Sequence, residues 1–392
     1  MKKIKILYVH HGSGIGGAPI SLLNLVKKLD RSKYYIKVLF FTNDEMAEIY
    51  RENNFDVEIL DVKQKFFGHH SKGKNSFLKH LFSIPNWLNV AYNIAPSYLK
   101  GNKSFHIIHL NSDVLSSWAF AAKKLNFKVV CHNRDPIATG MLGLRKSVLK
   151  YFLKNHTDRI ISISYDNRKR LGLEDKTEVI YNFVQLPDQY NSPFSAPQIK
   201  ALYLGGSSRF KGIGTAVDSL SYLNDNIKIQ FAGSLNSWNK PKSFKERLKN
   251  LLKLTVYRSS YLPIIKLSKA KNAEILGLLK DPYPYIDACD ILITPFTVEH
   301  FSRPAMEAFA YGKPVIGSNV EGMNEIIDQG INGLLFEKNN PKKLAEAINY
   351  LAMNPELGRK LGENGRRKAE EVYSPEVNTA KVEEIYLSLM KR

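Results

Sequence analysis

The chain has 392 residues, 44% of them apolar and 24% charged. That balance belongs to a folded protein of roughly two domains, and it excludes a disordered chain, a collagen-like repeat and a small disulfide scaffold. Lys and Arg outnumber Asp and Glu by 57 to 37, a net charge of +20, which favours anionic partners such as nucleic acid, acidic lipid or phosphorylated ligands.

The first apolar run, Ile6-Leu7-Tyr8-Val9, is shorter than the roughly 7–15 residues of a signal-peptide core. The longest uncharged stretch, residues 81–99, holds Pro85, Pro96, Asn86, Asn89 and Asn93, which a lipid-facing helix tolerates poorly. No membrane span is expected. Cys131 and Cys289 stand far apart without metal-like spacing, as in a protein of a reducing compartment.

In chain order, β-rich runs at 4–10, 36–41, 57–60, 107–110, 129–132, 160–163 and 179–181 alternate with helical patterns such as 19–29, 115–125 and 142–153. The second half repeats the scheme, with strands at 201–204, 227–232, 291–294, 315–317 and 334–336. Strands separated by helix-length connections imply βαβ units and parallel sheets. Residues 185–198, with three prolines, separate the halves. The fold class is therefore α/β, with two doubly wound Rossmann-like domains at 1–186 and 187–374. A last helix, 375–392, is expected to return to the first domain.

Two basic segments interrupt the rhythm. Residues 62–112 contain no acid, and residues 236–272 carry ten Lys or Arg against Glu246 alone. Both exceed ordinary βα connections and are read as functional insertions.

The first strand runs into Gly12-Ser13-Gly14-Ile15-Gly16-Gly17. Glycines before a helix let backbone approach a ligand, and the helix start favours an anion. A dinucleotide site also needs an acid at the end of the second strand. Here Asp44 and Glu45 come late, so a tight turn and a ligand-facing loop both remain open.

The most specific constellation runs from Glu299-His300-Phe301-Ser302-Arg303-Pro304 through Glu307 to Gly312-Lys313-Pro314-Val315-Ile316. Ser302 can cap a helix with proline in its first turn. Glu307 then lies one turn inside, and Glu299 in the loop before. Free N–H groups at that start suit a phosphate, with two carboxylates to receive hydroxyls on either side. A solvated helix start is the plain alternative.

Glu-x7-Glu, the following Gly-Lys-Pro-Val-Ile, Glu321-Gly322-Met323-Asn324-Glu325, Asn332-Gly333-Leu334-Leu335-Phe336 and the Gly16-Gly17-Ala18 loop together resemble the retaining glycosyltransferases of family 4. The resemblance implies the GT-B fold, its two domains facing across a cleft, the first binding acceptor and the second a nucleotide sugar. It implies that Glu307 binds the donor ribose, that Glu299 meets the donor sugar, and that Phe301, Ser302 and Arg303 line sugar and phosphate. Gly16 and Gly17 would face the donor from the other side. Lys211, in Gly205-Gly206-Ser207-Ser208-Arg209-Phe210-Lys211, resembles the family lysine that neutralises the diphosphate. Gly206 stands where the family usually has arginine, and Arg209 is the candidate substitute.

In Val129-Val130-Cys131-His132-Asn133-Arg134-Asp135, counting from the paired valines puts Arg134 at the place of the family's active-site histidine. Arg134 and Asp135 are the candidates near the reacting centre; His132 is either a strand-end core residue or that histidine.

The resemblance implies a metal-independent hexosyltransferase, with the nucleotide sugar as substrate and no cofactor; the chain contains no Asp-x-Asp. The acceptor would be a glycan or a lipid-linked glycan in surface polysaccharide synthesis. A GT-B epimerase or phosphorylase and a non-enzymatic basic binding protein are the alternatives. No nucleic-acid partner is expected, since no recognisable module interleaves aromatic and basic residues.

Finally, Ile84, Trp87, Leu88, Ala91, Ala95 and Tyr98 recur at helical spacing within the acid-free segment. Aromatic residues and flanking lysines predict contact with an anionic membrane surface, at the cytoplasmic face of the cell membrane. An ordinary packed helix is the alternative.

Overall fold

The computed structural model describes residues 3–12, 14, 16–61, 84–134, 137, 143–235 and 258–391. Asp135, the lysines at 63, 65, 72, 74 and 79, and residues 236–257 of the second basic segment lie outside these.

The chain folds into two compact units, Met1–Phe183 with Pro375–Arg392, and Val184–Ser374. The division falls at 183/184, where the sequence placed it at 186/187.

In the first unit the strands are β1 (Ile4–Val9), β2 (Tyr34–Phe40), β3 (Asp56–Ile59), β4 (Ile107–Leu110), β5 (Lys128–Asn133), β6 (Arg159–Ser162) and β7 (Thr177–Val179). They form a parallel sheet in the order β3-β2-β1-β4-β5-β6-β7. Helices cover both faces, so its strands read as apolar runs rather than alternating ones. Leu7, Val9, Ile108 and Leu110 pack to one side. Ile6, Tyr8, Ile107 and Val130 pack to the other, under the helices Gly17–Lys28 and Pro375–Met390.

The last helix presents Val382, Ile385, Tyr386 and Leu389 to that second layer. Their spacing is one helical face, and burying each aliphatic member contributes roughly 1.5–3 kcal/mol.

The second unit holds β8 (Ile199–Tyr203), β9 (Ile227–Ala232), β10 (Ala273–Gly277), β11 (Ile291–Thr294), β12 (Val315–Ser318) and β13 (Gly333–Phe336). Their order, β10-β9-β8-β11-β12-β13, is again parallel throughout. In each sheet the chain moves outward to one edge and then restarts beside the first strand. That reversal leaves a crevice at the carboxyl ends of β1 and β4, and another at those of β8 and β11, where ligands bind in such sheets.

Three expectations are corrected. β10 has no counterpart among the strands expected from sequence: it is a short edge strand with Glu274 and Ile275 exposed, and Gly277 breaks the apolar run at its end. β7 lies two residues earlier than expected: Thr177 pairs with Ile160, while Ile180 drops into the core beyond the strand. The third concerns the expected membrane stripe. Trp87, Ala91 and Ala95 are buried, Tyr98 is half-buried with its hydroxyl donating to Glu58 (2.8 Å), and only Ile84 and Leu88 of the six are exposed. The helix turns its main apolar face inward, through a wide π turn at Val90–Ile94 just before Pro96. Proline has no N–H for the regular ladder. Among the described residues, no helix is long and apolar enough to cross a membrane.

Candidate active site

At the first crevice, β1, β4 and β5 end side by side. The period of two along each strand places Tyr8 and His10, His109 and Asn111, and His132 and Arg134 on the same face of the sheet. Arg134 is 5% exposed. Its Nε donates to Asn111 Oδ1 (2.6 Å), its Nη1 to Asn182 Oδ1 (2.7 Å) and its Nη2 to His132 Nδ1 (3.3 Å).

A guanidinium only donates, so His132 carries its proton on Nε2. Asn111 likewise presents its amide nitrogen to His10 Nδ1 at 3.0 Å. Burial, and then the Arg134 charge, lowers the pKa of His10 to about 4 and holds His109 and His132 well below the usual histidine range. All three imidazoles are therefore neutral at pH 7, and Arg134 is the cation among them.

His132 and Arg134 are thus partners rather than alternatives. They line one small cavity with Asn182, Ser21 and Asn378, and His132 Nε2 has no hydrogen-bond partner.

The glycine-rich loop is tied from below: Gly14 N donates to Asp44 Oδ2 (2.7 Å). The other oxygen of Asp44 caps the helix Glu45–Glu52 at Met46 and Ala47. The acid that came late for a ribose is therefore a capping and loop-holding residue. A Cβ on Gly17 would meet nothing within 4 Å, and one on Gly16 only Pro19 at 3.8 Å. Neither glycine is demanded by its own packing.

At the second crevice, Ser302 caps the helix Arg303–Ala310, its Oγ accepting from Ala305 N at 3.3 Å. Pro304 has no N–H and Ala305 is already bonded, so this start offers fewer donors than the sequence suggested. Phe301 and Ser302 are buried, and Glu299 is half-buried in the loop before them.

Glu307 lies 5% exposed one turn in. Arg303 Nε stands 2.8 Å from its Oε1, and Tyr283 Oη donates to the same oxygen at 3.3 Å. The Arg303 Nε–H has no aligned acceptor, so that pair is ionic rather than directional. Burial raises the Glu307 pKa, and the Arg303 charge pulls it part of the way back. Arg303 is thus engaged with Glu307.

Lys211 reaches this crevice on the turn after β8. Thr297 N donates to Phe210 O (3.0 Å), and Thr297 Oγ1 to Arg209 O (3.2 Å), pinning that turn to the loop before Ser302. Lys211, His300, Ser302 and Pro304 line a common cavity of about 40 Å³ with Gly205 and Thr294. Lys211 is exposed by area, yet the surrounding protein lowers its pKa by desolvation.

The backbone dictates two glycines here. Gly206 has φ +56° and a Cβ would lie 2.6 Å from Ser234 O; Gly212 has φ +80° and a Cβ would lie 1.7 Å from Pro295 O. An arginine cannot occupy position 206 in this geometry. Arg209 is exposed beside it.

Glycosyl transferases group 1 is the family that matches residues 189–368, and Glycosyltransferase Family 4 matches residues 15–186. The chain belongs to the group 1, family 4 glycosyltransferases.

This glycosyltransferase is 28% identical over 359 residues to an uncharacterized glycosyltransferase of Methanocaldococcus jannaschii, which covers 90% of this chain and 89% of that one. It is 26% identical over 192 residues to the capsular polysaccharide biosynthesis glycosyltransferase CapM of Staphylococcus aureus, 48% of this chain and 46% of the other. Anabaena HepE, solved in complex with UDP and glucose, has a TM-score of 0.77 at 19% identity, covering 98% of this chain and all of that one (100%). That likeness is one of fold, and the fold is GT-B.

Sequence reasoning missed His10, Asn111 and Asn182 around Arg134, and Tyr283 beside Glu307. His10 and Asn111 were signalled by polar residues directly after apolar strands. For Asn182 and Tyr283 no local signal exists.

Proposed function

We propose that this glycosyltransferase retains configuration and moves a sugar from a nucleotide-sugar donor, held by the second unit, to a glycan or lipid-linked acceptor taken by the first. The carrying observation is the convergence of Lys211 and Ser302 on one cavity at the β8–β11 crevice, with Glu307 one helical turn behind.

Glu307 accepts from the ribose hydroxyls through Oε2, because Oε1 already holds Arg303 and Tyr283. Glu299, Phe301 and the backbone at Ser302 face the donor sugar and diphosphate, with Arg209 at the rim. Gly16 and Gly17 belong to the same donor-binding reading, since backbone without a Cβ lets a ligand approach closely. When the bond from anomeric carbon to phosphate oxygen breaks, negative charge grows on the leaving diphosphate. Lys211 and the helix start stabilise it without reorganising. The acceptor oxygen attacks the same face, and its proton passes to the leaving phosphate oxygen. Arg134, a fixed cation among neutral imidazoles, stands near the reacting centre.

HepE was solved with UDP and glucose, so uridine diphosphate sugars are the first donors to try. A thermal-shift panel of UDP, GDP, ADP and their sugars tests the reading. A ligand at 100 times its dissociation constant adds roughly 2.7 kcal/mol, and no shift with any of them rejects it.

The same reading includes surface-polysaccharide synthesis at the inner face of the cell membrane. The likeness to CapM, a glycosyltransferase of capsular polysaccharide biosynthesis, supports the first part. Ile84, Leu88 and Tyr92, exposed one helical turn apart, with Lys124 over the Tyr92 ring at 5.0 Å, support the second. Liposome co-sedimentation should require anionic lipid and weaken with salt; equal recovery in the supernatant with neutral and anionic vesicles at low salt rejects membrane contact.

A further inference from the structure

We propose that Tyr386, on the last helix, is a positioning residue for the Arg134–His132 pair. The proposal rests on the reading that Arg134 serves the reacting centre.

Tyr386 occupies the middle of an apolar helix face, between Ile385 and Leu389, where phenylalanine would pack equally well. A buried hydroxyl is unfavourable there unless it is bonded. Tyr386 Oη lies 2.7 Å from His109 Nδ1 and 2.7 Å from Tyr8 Oη, and all three residues are fully buried. The His109 ring packs on the Tyr8 ring at 4.7 Å and on the His132 ring at 5.6 Å. His132 Nδ1 in turn accepts a hydrogen bond from Arg134 Nη2. The last helix therefore reaches Arg134 through one hydroxyl and two imidazoles in tilted contact, their planes 46° apart.

Two features make this more than packing. Whichever way the protons run along Tyr8, Tyr386 and His109, deleting the Tyr386 hydroxyl strands both of its neighbours where no water reaches. His109 then has no directional hold, since its Nε2 has no partner to orient the ring. His132 rests on that ring, and its own remaining nitrogen is likewise unpartnered. Among the described residues Arg134 is the hydrogen-bond partner of the His132 ring, so a tilt of His132 alters the bond that ring makes to the guanidinium. Burial and the Arg134 charge also keep both histidines neutral, as a geometric support requires.

The test compares Tyr386→Phe, Tyr8→Phe and Arg134→Ala, singly and combined, in the full-length enzyme with a defined donor. Tyr386→Phe is expected to lower kcat about tenfold with donor KM within about twofold. Tyr8→Phe deletes an equally buried hydroxyl but leaves the Tyr386–His109 bond, so its kcat stays near wild type. In the Arg134→Ala background, Tyr386→Phe should lower kcat by less than about twofold. An unchanged kcat in Tyr386→Phe, or the same factor lost in both backgrounds, overturns the proposal.

Histidine ¹⁵N spectra give an arm independent of turnover. The His132 Nδ1 signal should be that of an unprotonated nitrogen in wild type and move in Tyr386→Phe; an unmoved signal also overturns it. Wild-type turnover in Arg134→Ala removes the parent reading. An impaired Arg134→Ala beside an unimpaired Tyr386→Phe removes this proposal alone.

Discussion

The two crevices are built in opposite ways. At the end of β1, β4 and β5, side chains answer side chains: Arg134 reaches Asn111, Asn182 and His132, and His10 is bonded to the far side of Asn111. At the end of β8 and β11, backbone does the shaping: glycines at 206 and 212 fit where no Cβ could, and Ser302 turns a helix start toward the cavity lined by Lys211. The first arrangement holds one charge in a fixed direction. The second leaves a shaped space and an exposed lysine. A group that must act on a reacting atom gains from rigid partners, whereas a diphosphate site gains from donors that are still available.

The largest effect expected from this contrast is at Arg134. Arg134→Ala should lower kcat by about 100- to 1000-fold, the usual size for a positioned charge-stabilising donor, with donor KM little changed. His132→Ala should be milder, near tenfold, in the same steady-state assay. The reverse ranking would make the histidine the group at the reacting centre and Arg134 its support.

Next come the groups of the second crevice. Lys211→Ala and Glu307→Ala should each lower kcat/KM for the donor about ten- to a hundredfold, the worth of a charge-assisted contact of roughly 1.5–3 kcal/mol. Lys211 is exposed, so its loss should leave the melting temperature alone. Glu307→Ala strands Arg303 and should lower it. If both variants keep wild-type kcat/KM, the donor is held elsewhere.

The pH dependence sharpens the same assignment. The folded protein holds the Glu307 proton more tightly than the unfolded chain does, because the pKa is raised by burial. This group therefore adds stability at low pH and withdraws it as pH rises through the folded value. On the proposed reading donor binding uses the carboxylate and runs the other way, weakening as pH falls through a point above the ordinary 4.5. Isothermal titration across that range, beside Glu307→Gln as a flat control, reads it.

Smaller effects belong to the scaffold. Gly212→Ala forces a left-handed residue and a backbone clash with Pro295. The conformation alone costs about 1–2 kcal/mol, so melting should fall by at least several degrees. Asp44→Ala removes a helix cap and the tie to Gly14. It should cost about 1 kcal/mol of stability, measurable by urea titration. Its pKa bears on this: burial pushes it up, but the bonds from Gly14, Ala47, Thr42 and Met46 together hold it below the usual value. That contribution is present above the unfolded pKa and is lost as pH falls through the folded one.

By itself the sequence determined the two parallel sheets and the second crevice. Strands buried on both faces must be apolar runs, and the spacing from Glu299 through Ser302 to Glu307 lies within one loop and one helix, so its geometry is local. Even the Arg303–Glu307 pair, four residues apart on that helix, is local in this sense. What surrounds Arg134 is settled by packing. Asn111 and His10 follow separate strands and Asn182 lies in a loop, and sheet order rather than chain order makes them neighbours. The same holds for the helix at 84–101: its periodicity fixed which residues share a face, but the domain beneath it decided that most of that face turns inward. A pattern along the chain specifies an element and its faces, whereas partners distant in sequence become definite only once the elements are packed.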